Sequence, residues 1–217
     1  MNKFILPALL MATIMTSCGS DAVEATDAKE VKEVAITATY STLGDHNHVD
    51  WQAWHVGKTG ERSGSITIMS AEASVNEGML AGGTWVLDMK SVTVTNFKGD
   101  ETPKNAKLQG HLMSEAFFLT DSFPTSTFEI TSSMDTMIGE SNTMISGNLT
   151  MKGVTKNISF PAKVEISETG VSITSGTFEI NRTDWGLSYL AAGMEGVLAD
   201  QVIDNEIAFT IHANVTK

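Results

Sequence analysis

Residues 143–161 read TMISGNLTMKGVTKNISFP, and this stretch decides the fold because two alternating runs flank a short turn. Apolar and polar side chains alternate in residues 143–151 and again in residues 154–161, on either side of Lys152-Gly153. Strict alternation across a two-residue turn that contains glycine is the strongest local signal for a β-hairpin. Each strand therefore has one apolar face, which has to be buried against other parts of the protein.

The same alternation recurs at short intervals along the rest of the chain. It predicts further strands at residues 34–40, 49–56, 64–70, 83–90, 125–131, 176–183 and 203–215. Long helical patterns are absent, so the sequence predicts an all-β protein, either a closed antiparallel barrel or a sandwich. The exception is residues 105–113, where apolar residues have helical spacing after Asn105, a residue type that caps helices. We predict one short helix there, placed over one end of the barrel.

The N-terminus has the pattern of an export signal. Lys3 precedes an apolar run at residues 4–15, and the sole cysteine of the chain, Cys18, follows small residues. This run is too short to remain in a bilayer as a spanning helix. The segment resembles a bacterial lipobox, which implies cleavage after residue 17 and acylation of Cys18, whereas an ordinary secretory signal is the alternative. Several acyl chains together give stable anchoring in a membrane.

The sequence divides into three parts on this interpretation. Residues 1–17 are the lipoprotein signal peptide, residues 18–33 are a polar, flexible tether, and residues 34–217 form one barrel domain. Gly19 stands where some bacterial lipoproteins carry an inner-membrane retention aspartate, so we expect an outer-membrane lipoprotein of the cell envelope. Its orientation toward the periplasm or the exterior is open.

Composition and motifs exclude several function classes. The chain has 14 Lys+Arg against 26 Asp+Glu, a formal net charge of -12, which argues against nucleic-acid binding. No GxSxG elbow, phosphate-binding loop, CxxC pair or post-strand GxGxxG motif occurs, so we predict neither an enzyme nor a resident cofactor. With a single cysteine, no intrachain disulfide is available to hold the fold.

Several short motifs occur together and in a consistent order. They are Val49-Asp50-Trp51 and residues 82–92, 108–112, 117–118, 123–128, 147–156 and 182–186. On these residues the chain resembles the YceI-like family of polyisoprenoid-binding, lipocalin-like bacterial proteins. The resemblance implies an extended eight-stranded antiparallel barrel with a long apolar channel. It also implies a carrier or store for isoprenoid chains, such as polyprenyl phosphates or quinones, or for long-chain amides.

The apolar strand faces supply the candidate ligand site. Lipocalin-like barrels can hold one small ligand inside, and each buried methylene contributes about 0.8 kcal/mol. The predicted inward residues are Trp51, Trp85, Leu87, Met89, Phe128, Leu149, Phe160, Phe178, Phe209 and Ile211. In the alternative interpretation these side chains only pack on each other, and the protein is a structural or interaction module.

A few polar residues are candidates for contact with a ligand head group. His46 and His48 lie two residues apart, with His55 near in sequence, and Arg182 suits phosphate or carboxylate recognition. A local pair between Arg182 and Asp184 is the alternative for the arginine. A metal site needs three converging ligands, and no HExxH or cysteine set is present, so we predict none. An enzyme acting on a lipid or quinone at the two neighbouring histidines is a further alternative, and the sequence is compatible with a homodimer.

Overall fold

The computed structural model describes residues 22–217, so the predicted signal peptide and Cys18 lie outside the described residues. The strands are β1 (Thr26–Asp27), β2 (Ala38–Tyr40), β3 (Thr42–Leu43), β4 (His48–His55), β5 (Thr59–Asn76), β6 (Met79–Asp88), β7 (Thr125–Ile138), β8 (Ser141–Met151), β9 (Val154–Ile166), β10 (Gly170–Ser175), β11 (Phe178–Asn181) and β12 (Glu206–Thr216). One α-helix, α1, spans Pro103–Met113, and short 3-10 helices lie at Met89–Ser91, Gly99–Glu101 and Arg182–Trp185. Within residues 22–217, no helix combines the length and apolar character needed to cross a bilayer.

Eight strands form a closed antiparallel ring. The order around the ring is β4, β5, β6, β7, β8, β9, β10 and β12, and β12 pairs again with β4. Ring closure pairs the two outer strands of the sheet, which is how a barrel avoids association through its edges. β6 and β7 pair only through residues 84–88 and 125–129. The predicted eight-stranded antiparallel barrel is thereby confirmed, and the sandwich is not formed.

The hairpin predicted from residues 143–161 is the pair β8–β9. Met151 pairs directly with Val154, and the two turn residues Lys152 and Gly153 have φ angles of 48° and 77°. Positive φ at both central positions is the type I′ geometry, whose twist matches that of the flanking strands. Both strands include the predicted ranges, and β9 continues further, to Ile166.

Two strands differ from the predicted pattern for identifiable reasons. β5 spans Thr59–Asn76 and is much longer than the predicted 64–70. A bulge between Ile68 and Ser70 shifts its buried positions from even to odd, so the alternation did not reveal the part after residue 70. Residues 170–175 were not predicted to form a strand, yet they form β10, in which Val171 and Ile173 are buried. Residues 176–177 then separate β10 from β11, so of the predicted strand 176–183 only Phe178–Asn181 is a strand, and Arg182 begins a 3-10 helix.

Residues 22–29 are bound to the barrel wall, so the prediction of a flexible tether at residues 18–33 is wrong for this part. Thr26 of β1 lies opposite Asn157 of β9, and the backbone N–H of Val23 donates to the Glu179 carbonyl of β11 at 2.7 Å. The Asn148 side chain accepts from the Lys29 N–H at 2.9 Å and donates to the Lys29 carbonyl at 2.7 Å. Val23 and Ala25 also pack against the hydrophobic core. Hydrogen bonds and two small apolar contacts fix this segment, and its polar composition gave no signal for them.

The predicted helix is confirmed as α1, although its start differs. Proline occupies the first helical position, Pro103, where a missing N–H is tolerated. Asn105 does not cap the helix, because its side chain instead donates to the Phe97 carbonyl at 3.0 Å and accepts from the Phe97 N–H at 3.1 Å. Leu112 and the following Phe117 are buried, and both contribute to a small cavity with residues from the barrel wall.

Gly147 of β8 leaves room for an aromatic ring in the barrel interior. A Cβ atom at this position would lie 2.3 Å from Cζ of Phe128 and 2.7 Å from the Glu129 carbonyl oxygen. We expect Gly147→Ala to lower the free energy of unfolding by about 1–3 kcal/mol, the cost of overpacking a filled core. Denaturant unfolding measures this loss. Gly82→Ala is the matched control, because no atom lies within 4 Å of the position that its methyl group would take, and its change is expected to stay within about 0.5 kcal/mol.

Candidate functional site

The inward faces of the strands build an apolar interior. It is lined by Val49, Ile66, Ile68, Trp85, Leu87, Met89, Phe118, Ser126, Phe128, Leu149, Met151, Ile158, Phe160, Phe178, Phe209 and Ile211. Every lining side chain except Ser126 is apolar. Nine of the ten residues predicted to point inward are in this set, and the tenth, Trp51, lines an adjoining cavity.

Aromatic rings run across this interior in contact with one another. Trp85 stacks on Phe128 with ring centroids 5.1 Å apart, and Phe128 lies 5.4 Å from Phe160. Phe160 and Phe178 are nearly parallel at 4.5 Å, and Phe178 lies 6.2 Å from Phe209. These rings reduce the free volume to about 50 Å³. An apolar cavity that binds benzene is about 150 Å³, so a long chain can enter only if side chains move.

Two further cavities lie between this interior and the surface at the α1 end. A cavity of about 40 Å³ shares Phe118 and Phe209 with the interior, and it shares Leu112 and Phe117 with an open pocket of about 300 Å³. The open pocket, here called the mouth, is lined by Trp51, Ala53, Trp54, His55, Gly60, Arg62, Leu108, His111, Leu112, Phe117, Arg182, Tyr189, Leu190 and Ile203. The aromatic pair Phe117 and Phe118 therefore stands between the mouth and the interior.

Arg182 is buried where the mouth meets the barrel. Only 2 % of its surface is exposed, and its guanidinium donates from Nε to the Asp204 carbonyl at 3.0 Å and from Nη2 to the Ile203 carbonyl at 3.2 Å. A third bond runs from Nη1 to the Leu187 carbonyl. Burial lowers the pKa of Arg182, while the nearby carboxylates of Asp204 and Glu206 act in the opposite direction. Among the described residues, Arg182 makes no ion pair with the predicted partner, Asp184.

The carboxyl groups of Asp204 and Glu206, which lie beside Arg182, interact through a hydrogen bond. A hydrogen bond with Asp204 is the main cause that raises the pKa of Glu206, and burial adds to it. Lys58 lies on the same side, with Nζ 3.7 Å from an Asp204 carboxylate oxygen and 2.9 Å from Glu179. This end of the barrel therefore carries both signs of charge close to the mouth.

The structure does not bring the three predicted head-group residues together. His46 lies in the loop before β4 with φ of 64°, and His48 lies on the outer face of β4, because its neighbour Val49 lines the interior. Arg182 is at the opposite end of this strand, where the Asp204 N–H bonds the Trp54 carbonyl. Seven residue steps along β4 correspond to about 24 Å, so one small head group cannot contact both ends.

Sequence reasoning missed several residues of the site. Val49, Ile66 and Ile68 alternate in phase with predicted inward positions, so the pattern itself could have included them. His111 and Tyr189 meet edge to face at 4.8 Å in the mouth, although they come from α1 and a distant loop. No local pattern connects these two residues.

Comparison with known proteins agrees with this architecture. A YceI-like domain model matches residues 40–215. This chain belongs to the YceI-like family. No curated protein matches the chain.

Two solved structures share the YceI-like fold of this chain. Burkholderia cenocepacia BcnA is 14 % identical with a TM-score of 0.56, and the match covers 78 % of this chain and 96 % of BcnA. A polyisoprenoid binding domain from Saccharophagus degradans, implicated in plant cell wall breakdown, is 13 % identical with a TM-score of 0.56. That match covers 82 % of this chain and 99 % of the other. At these identities the two likenesses establish the fold alone.

Proposed function

We propose that this protein binds a long-chain amphiphile of the isoprenoid type in its barrel and carries or stores it in the bacterial envelope. The observation that supports this most is an interior with one polar lining residue, Ser126, adjoining a mouth with polar groups. Membership of the YceI-like family supports the same class of ligand, as does the polyisoprenoid-binding name of the Saccharophagus degradans domain. A polyprenyl phosphate, a quinone or a long-chain amide has the required apolar tail and polar end.

Entry of the tail requires the aromatic rings to move. Phe118 is only half-buried, and it borders both the 40 Å³ cavity and the interior, so its displacement joins the two. An aromatic pair contributes about 0.5–1.5 kcal/mol beyond its buried area. Burial of two methylenes, at about 0.8 kcal/mol each, offsets the loss of one such contact. A tail of several isoprene units therefore supplies enough free energy to open the interior.

The polar end of the ligand is placed at the mouth. His111 and Tyr189 line this pocket, and the Arg182 guanidinium retains N–H groups beyond the three that bond carbonyls. The interior, by contrast, offers a single hydroxyl. His46 and His48, on the loop and the outer wall, have no part in this arrangement.

Quenching of tryptophan fluorescence by a brominated isoprenoid alcohol tests the proposal. Bromine quenches indoles that it contacts, and Trp85 lines the interior while being 1 % exposed to solvent. We expect saturable quenching in the full chain and a smaller quenched fraction in Trp85→Phe. Trp185→Phe is the matched control, because Trp185 is also fully buried but lines none of the three cavities described above, so its quenched fraction should not fall below that of the parent.

One observation favours the alternative of a barrel filled by its own side chains: the free volume of the interior is only about 50 Å³. A structural or interaction module of this kind takes up no tail. Native mass spectrometry of the chain purified from its own host then shows only the mass of the protein, and the brominated alcohol quenches nothing. That pair of results would replace the binding proposal by the alternative.

We also propose that acylated Cys18 anchors the protein in the outer membrane. The position of the sole cysteine directly after a predicted export signal supports this anchor, and acylation of Cys18 does not involve any residue of the barrel. Ala22, which bridges to Glu179 of β11, follows Cys18 by only four residue steps, so the anchor lies at most about 14 Å from that wall. Incorporation of radiolabelled palmitate should be lost in Cys18→Ser and kept in the parent chain. Equal labelling of the two would contradict the anchor.

A further inference from the structure

A cluster of three ligand-type side chains lies on the outer wall of the barrel, away from the interior and the mouth. His48 and Asp50 are two residues apart on β4, and His212 of β12 pairs directly with His48. Their neighbours Val49 and Ile211 line the interior, so all three side chains point outward. The histidine rings stack at 4.8 Å with an angle of 25° between their planes.

Both imidazoles direct the same ring nitrogen toward one carboxylate oxygen. Nε2 of His48 and Nε2 of His212 each lie 3.6 Å from Oδ2 of Asp50, and the ligand atoms all lie within 4.8 Å of one another. Zinc bonds of about 2.0–2.1 Å in a tetrahedron place neighbouring ligand atoms about 3.4 Å apart. The two separations from Asp50 Oδ2 to the histidine nitrogens, 3.6 Å each, are close to this value, and the ligand atoms of the two histidines lie within 4.8 Å of each other, so rotation of the side chains has to bring these two together.

The three groups are available for an ion. Their side chains are 33 %, 51 % and 32 % exposed for His48, Asp50 and His212, in that order. Within residues 22–217, neither imidazole has a hydrogen-bond partner within 3.5 Å, so its nitrogen lone pair is not committed elsewhere. The cluster includes a carboxylate, and the chain as a whole is acidic, with a formal net charge of -12, which favours a cation.

We propose that His48, Asp50 and His212 form a surface site for a divalent late transition-metal ion of the zinc class. Imidazole nitrogen with one carboxylate is a ligand set that suits Zn²⁺ and Cu²⁺ and selects against Mg²⁺, which prefers oxygen ligands. Three protein ligands leave the fourth tetrahedral position to water or to an external group. Asp50 borders an open cleft of about 410 Å³ that hydroxyl groups line, including Ser65 and Thr210, so this position faces solvent.

The site differs from the grouping that the sequence indicates. His46, His48 and His55 are close to one another in the sequence, but they do not supply three converging ligands. The barrel instead brings His212 next to His48 across 164 residues, because β12 closes the ring onto β4. This closure supplies the ligand that the sequence prediction of no metal site lacked.

Isothermal titration of the metal-free full chain with zinc chloride tests the site. We expect one high-affinity Zn²⁺ per parent chain and no comparable binding of Mg²⁺. His212→Ala and Asp50→Asn should each weaken zinc binding by at least about tenfold, since even loss of an outer-shell partner costs about 10–100-fold. Asp50→Asn keeps the shape of the side chain, and all three residues are on the surface, so circular dichroism of the metal-free variants should match the parent.

His46→Asn is the matched control. It removes a nearby histidine, and asparagine tolerates the positive φ of 64° at this position, so zinc affinity should not change. Absorption bands of bound Co²⁺ should report imidazole coordination in the parent and in His46→Asn and vanish in His212→Ala. The proposal is overturned if the double variant His48→Ala/His212→Ala binds zinc as tightly as the parent. Isoprenoid binding in the barrel is measured separately and does not depend on this result.

Discussion

Replacement of Phe160 by alanine is expected to lower the free energy of unfolding by about 3–5 kcal/mol, as for other buried phenylalanines. Phe160 has no exposed surface, and it is the middle ring of the aromatic series, parallel to Phe178 at 4.5 Å and 5.4 Å from Phe128. Its removal takes away contacts on both sides and leaves a cavity in a closely packed wall. Guanidinium unfolding monitored by circular dichroism measures the loss.

The same substitution should improve uptake of an isoprenoid tail. The free volume in the parent is about 50 Å³, and removal of the phenyl ring enlarges it without adding a polar group. A ligand that binds only the folded state raises the melting temperature according to its concentration relative to Kd. We therefore expect a farnesol-type alcohol to raise Tm more in Phe160→Ala than in the parent.

Phe160→Leu provides the graded control for this prediction. Leucine keeps part of the side-chain volume, so both the loss of stability and the gain in ligand-induced Tm should fall between the parent and Phe160→Ala. A destabilisation below about 1 kcal/mol in Phe160→Ala would show that Phe160 does not support the core. An unchanged response to the alcohol would show that the aromatic series does not restrict entry.

The fold was predictable because its signals are local. Alternation assigned Leu149 and Phe160 to the inward face, and the glycine turn at Lys152-Gly153 fixed the register of the pair. Seven of the eight ring strands could be assigned from their own residues in this way, and β10 was missed. A bulge after Ile68 in β5 shows the limit, since one extra residue moves every later side chain to the other face.

The site was predictable only in part, because alternation reports which face is buried and not whether space remains there. The volume of about 50 Å³ depends on how Phe128 and Phe178 pack against Phe160, which no strand pattern specifies. Contacts between residues that are distant in the sequence could not be predicted either. The pairing of His48 with His212 requires closure of the ring, and no motif records it.

Arg182 is a further case in which tertiary packing determines a role that the sequence left open. Head-group recognition and a local pair with Asp184 were the two sequence interpretations. The structure instead directs the guanidinium to three backbone carbonyls, those of Leu187, Ile203 and Asp204. The residue thus ties together the two ends of the single connection at residues 186–205, part of which lines the mouth, whatever further contact it makes with a ligand.

Arg182→Met is therefore expected to cost at least about 3 kcal/mol of unfolding free energy. Methionine fills much of the space of the arginine stem but donates no hydrogen bond, so three carbonyls lose their donor at about 1–3 kcal/mol each when buried. Arg182→Lys should recover part of this loss, because an ammonium group satisfies carbonyls from one point and cannot reproduce the planar fork. Denaturant midpoints of the three proteins give the comparison.

The only other arginine of the chain offers a matched control for this prediction. Arg62 also donates to backbone carbonyls, those of Gly60 and Glu61 at 2.8 Å each, but these bonds are exposed to water. Water replaces an exposed donor at little cost, so Arg62→Met should change stability by no more than about 0.5 kcal/mol. If both variants lose the same stability, burial of Arg182 is not what makes its hydrogen bonds important. A large loss in Arg182→Met alone assigns the effect to the desolvated carbonyls at the mouth.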